Sequence, residues 1–312
     1  ELNRADGKLS VFRSYFRGVM QLTKRNLFES QMQGVDDVFF NGGNLLRCQT
    51  LADAVRLIAV LSPLKAALRL NKRVFVLPHS TAETNLIGRL LLRRTLERCT
   101  IVFAREPNSF KQFSLTFPKA KFRLTSDCAF AIKNSTIANR KGRVAITTRS
   151  HTMGDLRDIG SSQKEKIKRE LINAINYCIE SGFEVLLVSQ TRKDVAFTEG
   201  LYSSFEQNPR VSHASCFDVE ELIALYAECQ LLIGMRLHSI ILALSTGTPV
   251  IGYFSNSWGH KNPGLMSQFQ QSYGFLEEDY SLLKVLKEHN FKKTKVEESK
   301  ILSIKSSLLE QL

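Results

Sequence analysis

The sequence has no C-x-x-C pair, no apolar run near the ~20 residues needed to cross a bilayer, and no internal repeat. The first absence excludes zinc ribbons and dithiol redox motifs. The second excludes a membrane-spanning helix, and the third a solenoid or propeller. Residues Glu1–Gly7 are polar and carry no signal-peptide pattern. The six cysteines, Cys48, Cys99, Cys128, Cys178, Cys216 and Cys229, match no metal framework. Most sit in apolar segments as small hydrophobes, and a reducing compartment is the simplest inference. Carboxylates are also scarce: 30 Asp and Glu face 43 Lys and Arg, for a net charge of +13. Such a chain attracts anionic partners. No RNA-binding aromatic signature or zinc-finger spacing accompanies the basic residues, so nucleic acid is not expected. The anions left are a phosphorylated substrate and an acidic membrane surface, and the expected location is the cytoplasm, with peripheral contact at the inner face of the membrane.

What is present is a 312-residue chain with 43% hydrophobic and 23% charged residues, enough for two α/β domains. Short apolar runs alternate with helical periodicity. Asp36–Phe40 reads as a strand ending in the turn Asn41-Gly42-Gly43-Asn44. Two glycines do not make a dinucleotide fingerprint, but they let backbone approach a phosphate or sugar. Leu51–Leu70 reads as a helix that Pro63 kinks or interrupts. The strand Arg73–Leu77 runs into Pro78-His79-Ser80, and the strand Ile101–Ala104 into Arg105-Glu106-Pro107. Asn108 or Ser109 is positioned to cap the next helix. Phe122–Leu124 is a short strand before Ser126-Asp127. Polar residues 133–142 form the candidate linker. The second half opens on the strand Arg143–Thr148, ending at Arg149. Asp218 with Glu221 reads as a capping box. From Leu265 the chain reads as helical and charged.

One stretch organises the rest: Leu231–Gly252, LLIGMRLHSIILALSTGTPVIG. A buried strand ends at Gly234, and Arg236, Leu237, His238 and Ser239 then open an apolar helix. In an open parallel sheet, the carboxyl end of a strand is where ligands bind. The helix start offers backbone N–H groups and partial positive charge to an anion. Arg236 can grip a phosphate or carboxylate with two parallel hydrogen bonds. His238 can bind an anion or move a proton near neutral pH. A capping arginine and a satisfied surface histidine are the bland alternative.

The expected fold is α/β, with two Rossmann-like domains facing a cleft in the GT-B manner. The domains are residues 1–138 on the acceptor side, 139–270 on the donor side, and a helical segment, 271–312, packing back across both.

These motifs, in this order, resemble the polysaccharide pyruvyl transferase family. The resemblance rests on Asp37–Leu46, on Arg105-Glu106-Pro107-Asn108-Ser109, on Asp127-Cys128-Ala129-Phe130, on Val144–Arg149, and on Ile233–Ser239 with Gly247–Ile251. It implies transfer of the enolpyruvyl group of phosphoenolpyruvate onto two hydroxyls of one sugar, giving a pyruvate ketal and phosphate. It implies that Arg149, Arg236 and His238 carry the chemistry, with Leu237 beside them. Phosphoenolpyruvate is then a donor substrate, and neither a cofactor nor a metal is expected. The acceptor is a glycan, free, polymeric or lipid-linked. Ser239, Gly42, Gly43, Asn44, His79, Arg105, Glu106, Asp127, His260 and Lys261 are the further candidate binding residues. Glu106 or Asp127 is the candidate base; their alternative roles are a salt bridge to Arg105 for Glu106 and a helix cap for Asp127. Two other functions fit parts of the pattern. One is a GT-B glycosyltransferase using a nucleotide sugar, with Glu220 or Glu221 at the ribose. The other is a non-catalytic basic module for anionic polymer or lipid.

Overall fold

The computed structural model describes residue 16 and residues 26–81, 84–132, 142–150, 160–258, 261–291 and 298–311. The chain forms two compact units, Glu1–Cys128 and Ala129–Leu312. The division falls ten residues before the expected boundary at 138/139. The reason is Phe130, which is fully buried in the second core and stacks on Phe269 with ring centroids 5.1 Å apart. Residues 133–141 of the expected linker lie outside the described residues.

The first unit holds a four-stranded parallel sheet in the order β1-β2-β3-β4. Its strands are β1 (Asp37–Phe40), β2 (Arg73–His79), β3 (Ile101–Ala104) and β4 (Phe122–Leu124). Helix α1 (Asn26–Gln31) precedes β1. Helices α2 (Leu51–Arg69), α3 (Leu86–Leu96) and α4 (Pro107–Thr116) make the crossovers. Leu57, Leu61, Leu64, Leu92 and Leu96 bury their side chains against Val74, Val76 and Val102. Thr50 caps α2 in a reciprocal box with Asp53. Pro63 does not interrupt this helix, which runs unbroken through it. Proline removes the N–H that would bond the carbonyl of Ala59, and the hydroxyl of Ser62 donates to that carbonyl instead, at 2.8 Å.

The second unit is a six-stranded parallel sheet. Its strands are β5 (Arg143–Thr147), β6 (Glu184–Ser189), β7 (Val211–Ser215), β8 (Leu231–Gly234), β9 (Val250–Phe254) and β10 (Tyr273–Phe275). Every residue of β8 and β9 is buried, as in a sheet covered on both faces. The helices are α5 (Ser161–Glu180), α6 (Val195–Tyr202), α7 (Val219–Ala227), α8 (Leu237–Ser245), α9 (Lys261–Gln268), α10 (Ser281–His289) and α11 (Glu298–Gln311). The strand order β10-β9-β8-β5-β6-β7 is the doubly wound Rossmann order. Its winding reverses between β5 and β8, so the crevice at their carboxyl ends is the topological switch point.

The terminal segment, expected to be wholly helical, contributes β10 to this sheet and Ile301 to this unit's core. Three residues, Tyr-Gly-Phe, are too few to show a strand period in sequence. At α7 only half of the expected capping box forms. Asp218 accepts from the amides of Glu220 and Glu221, while the carboxylate of Glu221 meets the thiol of Cys216 at 3.5 Å.

Candidate functional site

The switch point of the second unit is built by register. Thr147 of β5 lies opposite Gly234 of β8, and two residues beyond each come Arg149 and Arg236. Gly234 is required there, because a Cβ would stand 2.7 Å from Cγ1 of Ile240 in α8. Arg236 takes extended backbone angles as the N-cap of α8, so His238 falls in its first turn, exposed to solvent. The first turn of a helix presents amides with no partner within the helix. Thr147 locks the two strand ends together: its hydroxyl meets Ser239 Oγ at 3.0 Å and accepts from the amide of Met235 at 3.3 Å.

Each arginine has its own holder. The Arg149 guanidinium lies over the ring of Trp258, 4.5 Å from the centroid, although Arg149 is only 5% exposed. Arg236 donates through Nε to the carboxylate of Asp194, which is completely buried. Asp194 Oδ1 also accepts from the amide of Ser150 at 3.1 Å and from its hydroxyl at 3.2 Å. Its Oδ2 accepts from Thr191 Oγ1 at 2.9 Å. One carboxylate in the turn after β6 therefore fixes both arginine-bearing segments.

The first unit gathers a second polar group at its strand ends. Gly42 must be glycine, since a Cβ would sit 2.6 Å from the carbonyl oxygen of Pro78. Gly43, at φ +125°, bonds Pro78 and Ser80 through its backbone and pairs with His79. Asn44 follows, half-buried. His79 is fully buried and stacked on Phe40. Its Nδ1 lies 2.7 Å from the carbonyl of Leu77, which can only accept, so Nδ1 carries the proton and Nε2 is a buried acceptor without a protein partner. Burial first, and the charge of Arg105 second, push the imidazole down to about 4. Arg105 is itself buried, donating to Ser80 Oγ at 2.5 Å and to Asp127 Oδ2 at 2.7 Å.

Glu106 takes a different role from the one expected of it, and the salt bridge to Arg105 falls to Asp127. Glu106 makes no salt bridge to Arg105. It is the N-cap of α4, accepting from the amides of Asn108 and Ser109 and from the Ser109 hydroxyl. Neither Asn108 nor Ser109 is the cap. Asp127 pairs with Arg105. Glu106, buried and accepting three hydrogen bonds, is thereby committed to structure. Two residues of the distinctive block also turn inward. Leu237 packs in the core, and Ser239 Oγ donates to the carbonyl of Arg236 at 2.7 Å. Lys261 starts α9, half-buried, and His260 lies outside the described residues. Asp194 and Trp258 were not among the expected site residues. The only sequence signal for Asp194 was its place in the turn after a strand.

Among the described residues, no group of three or more His, Cys, Asp and Glu side chains is placed to hold a metal ion. No helix among them is long and apolar enough to cross a membrane. None of the six cysteines is in a disulfide.

Two outcomes follow from this geometry. Asp194→Ala leaves a mostly buried guanidinium without its counter-charge and is expected to destabilise the protein by about 3–5 kcal/mol, read as a lowered denaturation midpoint. His79 binds no proton above about pH 4 when folded but titrates near 6.5 when unfolded. The unfolded chain thus binds more protons between these values, and stability must rise with pH from about 4 to 6.5. The His79→Gln variant is expected to flatten that part of the stability–pH curve.

A family model described as polysaccharide pyruvyl transferase matches residues 2–257. The amylovoran biosynthesis protein AmsJ of Erwinia amylovora is 35% identical over 134 residues, which are 40% of this chain and 31% of AmsJ. This chain thus aligns with less than a third of that relative's length. Among solved structures, the UDP-GlcNAc 2-epimerase of Methanocaldococcus jannaschii superposes with a TM-score of 0.57 at 12% identity, over 90% of this chain and 76% of the epimerase. Sucrose-phosphate synthase of Thermosynechococcus elongatus gives 0.55 at 12% identity, over 92% and 76%. Anabaena HepE, solved with UDP-glucose, gives 0.53 at 14% identity, over 92% and 81%. At these identities the likeness is one of fold, α/β with two parallel sheets of the GT-B type. The match across 2–257 decides the family: this chain belongs to the polysaccharide pyruvyl transferases.

Proposed function

We propose that the protein transfers the enolpyruvyl group of phosphoenolpyruvate to two hydroxyls of one sugar in a glycan, forming a pyruvate ketal and releasing phosphate. The observation that carries this reading is the pair Arg149 and Arg236, leaving adjacent strands at the switch point, one held on Trp258 and one by Asp194. Phosphoenolpyruvate presents a phosphate and a carboxylate on three carbons, so a site for it needs two fixed cations close together.

The reaction needs no external acid or base in sum. One acceptor hydroxyl proton ends on the methylene carbon, which becomes the methyl group. The other ends on the departing phosphate. Two C–O bonds form at the central carbon and one C–O bond to phosphate breaks. Arg149 and Arg236 hold the donor's charges and offset the charge that gathers on the phosphate. His238, exposed in the first turn of α8, protonates the leaving oxygen. Asp127 is the better candidate base, because Glu106 is committed to its cap.

The first-unit group suits a sugar. The Arg105–Asp127 pair is neutral in sum and His79 is uncharged at neutral pH, yet together they offer donors and acceptors for hydroxyls. The nucleotide-sugar alternative is weaker. Its ribose carboxylates, Glu220 and Glu221, open α7 after β7, and β7 is separated from β5 by β6. That offset is roughly 10 Å at the usual strand spacing.

Mass spectrometry of candidate glycans incubated with phosphoenolpyruvate should show the gain of one pyruvyl group, with matching phosphate release. Arg149→Ala and Arg236→Ala are each expected to lower kcat/KM about 10²–10³-fold, and His238→Ala to lower kcat. Phosphate release undiminished in both Arg236→Ala and His238→Ala would sink the assignment.

A further inference from the structure

Part of the first unit's exposed surface has no role in the proposed reaction. The segment Cys48–Thr50 and the segment Thr84–Asn85 lie side by side through a parallel bridge between Cys48 and Thr84. The Asn85 amide donates to the Cys48 carbonyl at 2.7 Å, and its side chain reaches the Gln49 carbonyl. The two helices that start there, α2 and α3, are thereby set with their N-termini adjacent. The approach is tight, since a Cβ on Gly88 would fall 2.4 Å from Cβ of Cys48.

Both helices begin with an exposed leucine, Leu51 at 74% and Leu86 at 77%. Val55, Ile87 and Leu90 extend the apolar face. These side chains are not spares of a core: α3 already buries Gly88, Leu92, Thr95 and Leu96 on its other side. At 100° per residue, Leu86 and Leu90 share one stripe, with Arg89 on one flank and Arg94 on the other. Arg93 continues the stripe, 3.9 Å from Glu97. Further along the pair, Lys65 of α2 is held below the usual lysine range by burial and then by the charges of Arg69 and Arg94, so these cations crowd together. Among the described residues, the nearby carboxylates besides Glu97 are already engaged: Asp53 caps α2 and meets Arg56, and Glu29 meets Arg69.

Exposed aliphatic side chains interleaved with arginines are the pattern of a surface that lies in a lipid interface. The leucines enter the acyl boundary while the guanidinium groups reach the phosphates. No aromatic side chain stands in this set to stack on bases. We infer that the exposed face of α2 and α3, carrying Leu51, Leu86, Leu90, Arg89 and Arg94, docks the protein on an anionic lipid bilayer. This inference is independent of the proposed reaction.

Flotation of the full chain with phosphatidylglycerol vesicles and with phosphatidylcholine vesicles tests it. Binding is expected to the first, to weaken as salt rises, and to be far smaller with the second. A double variant, Leu86→Ser with Leu90→Ser, should lose most of the binding while melting as the parent does, because both side chains are exposed. Arg89→Glu with Arg94→Glu should weaken binding on the order of tenfold or more. Absence of binding to phosphatidylglycerol vesicles, or binding that both double variants retain, overturns the inference. So does a lipid-independent dimer, seen in sedimentation and dispersed by the leucine variant, since the face would then seat a second copy.

Discussion

The carboxylate of Asp194 is the contact on which the second unit's site depends. It reaches from the turn after β6 to both segments that flank the switch point, bonding Ser150 beside Arg149 and Nε of Arg236. Register alone puts two arginines at adjacent strand ends. It does not fix two long, flexible side chains. A buried carboxylate is costly to desolvate, and four donors converge on this one. The stacking of Arg149 on Trp258 is the matching constraint on the other strand. The two guanidinium groups are thus held by chemically different contacts.

The polar groups at the strand ends of the two units differ in charge. In the first, each strand-end cation has a partner of opposite sign or is kept neutral: Arg105 faces Asp127, and His79 is buried without a proton. Such a surface recognises hydroxyls, which want donors and acceptors more than net charge. In the second, arginines follow two adjacent strands, one of them at a helix start, which suits the proposed small polyanion. The net charge of +13 is therefore not one diffuse property. Part of it is spent at the switch point and part stands on the outer face of α2 and α3, where leucines interrupt it.

Much of this was legible in the sequence. Buried strands such as Leu231–Gly234 announce themselves as apolar runs closed by glycine, and the alternation of strand and helix dictates a parallel sheet. Arg149 and Arg236 stood out because each follows such a run. Trp258 and Asp194 did not, because their roles depend on contacts far along the chain, to Arg149 and Arg236. The capping role of Glu106 has a similar cause. Neighbours in sequence suggested that Glu106 would pair with Arg105, but at the start of a helix a side chain two residues before the first free amides caps it more readily. Pro63 does not stop α2 because Ser62 takes up the carbonyl it leaves without a donor, and β10 was not legible because three residues carry no period.

In the proposed reaction the switch point receives phosphoenolpyruvate. Trp258 is the chain's single tryptophan, and it lies beneath Arg149. Its fluorescence therefore reports directly on that guanidinium. Titration with phosphoenolpyruvate should give a saturable change that Arg236→Ala weakens and that UDP does not reproduce. A saturable response to UDP, with none to phosphoenolpyruvate, would contradict the account.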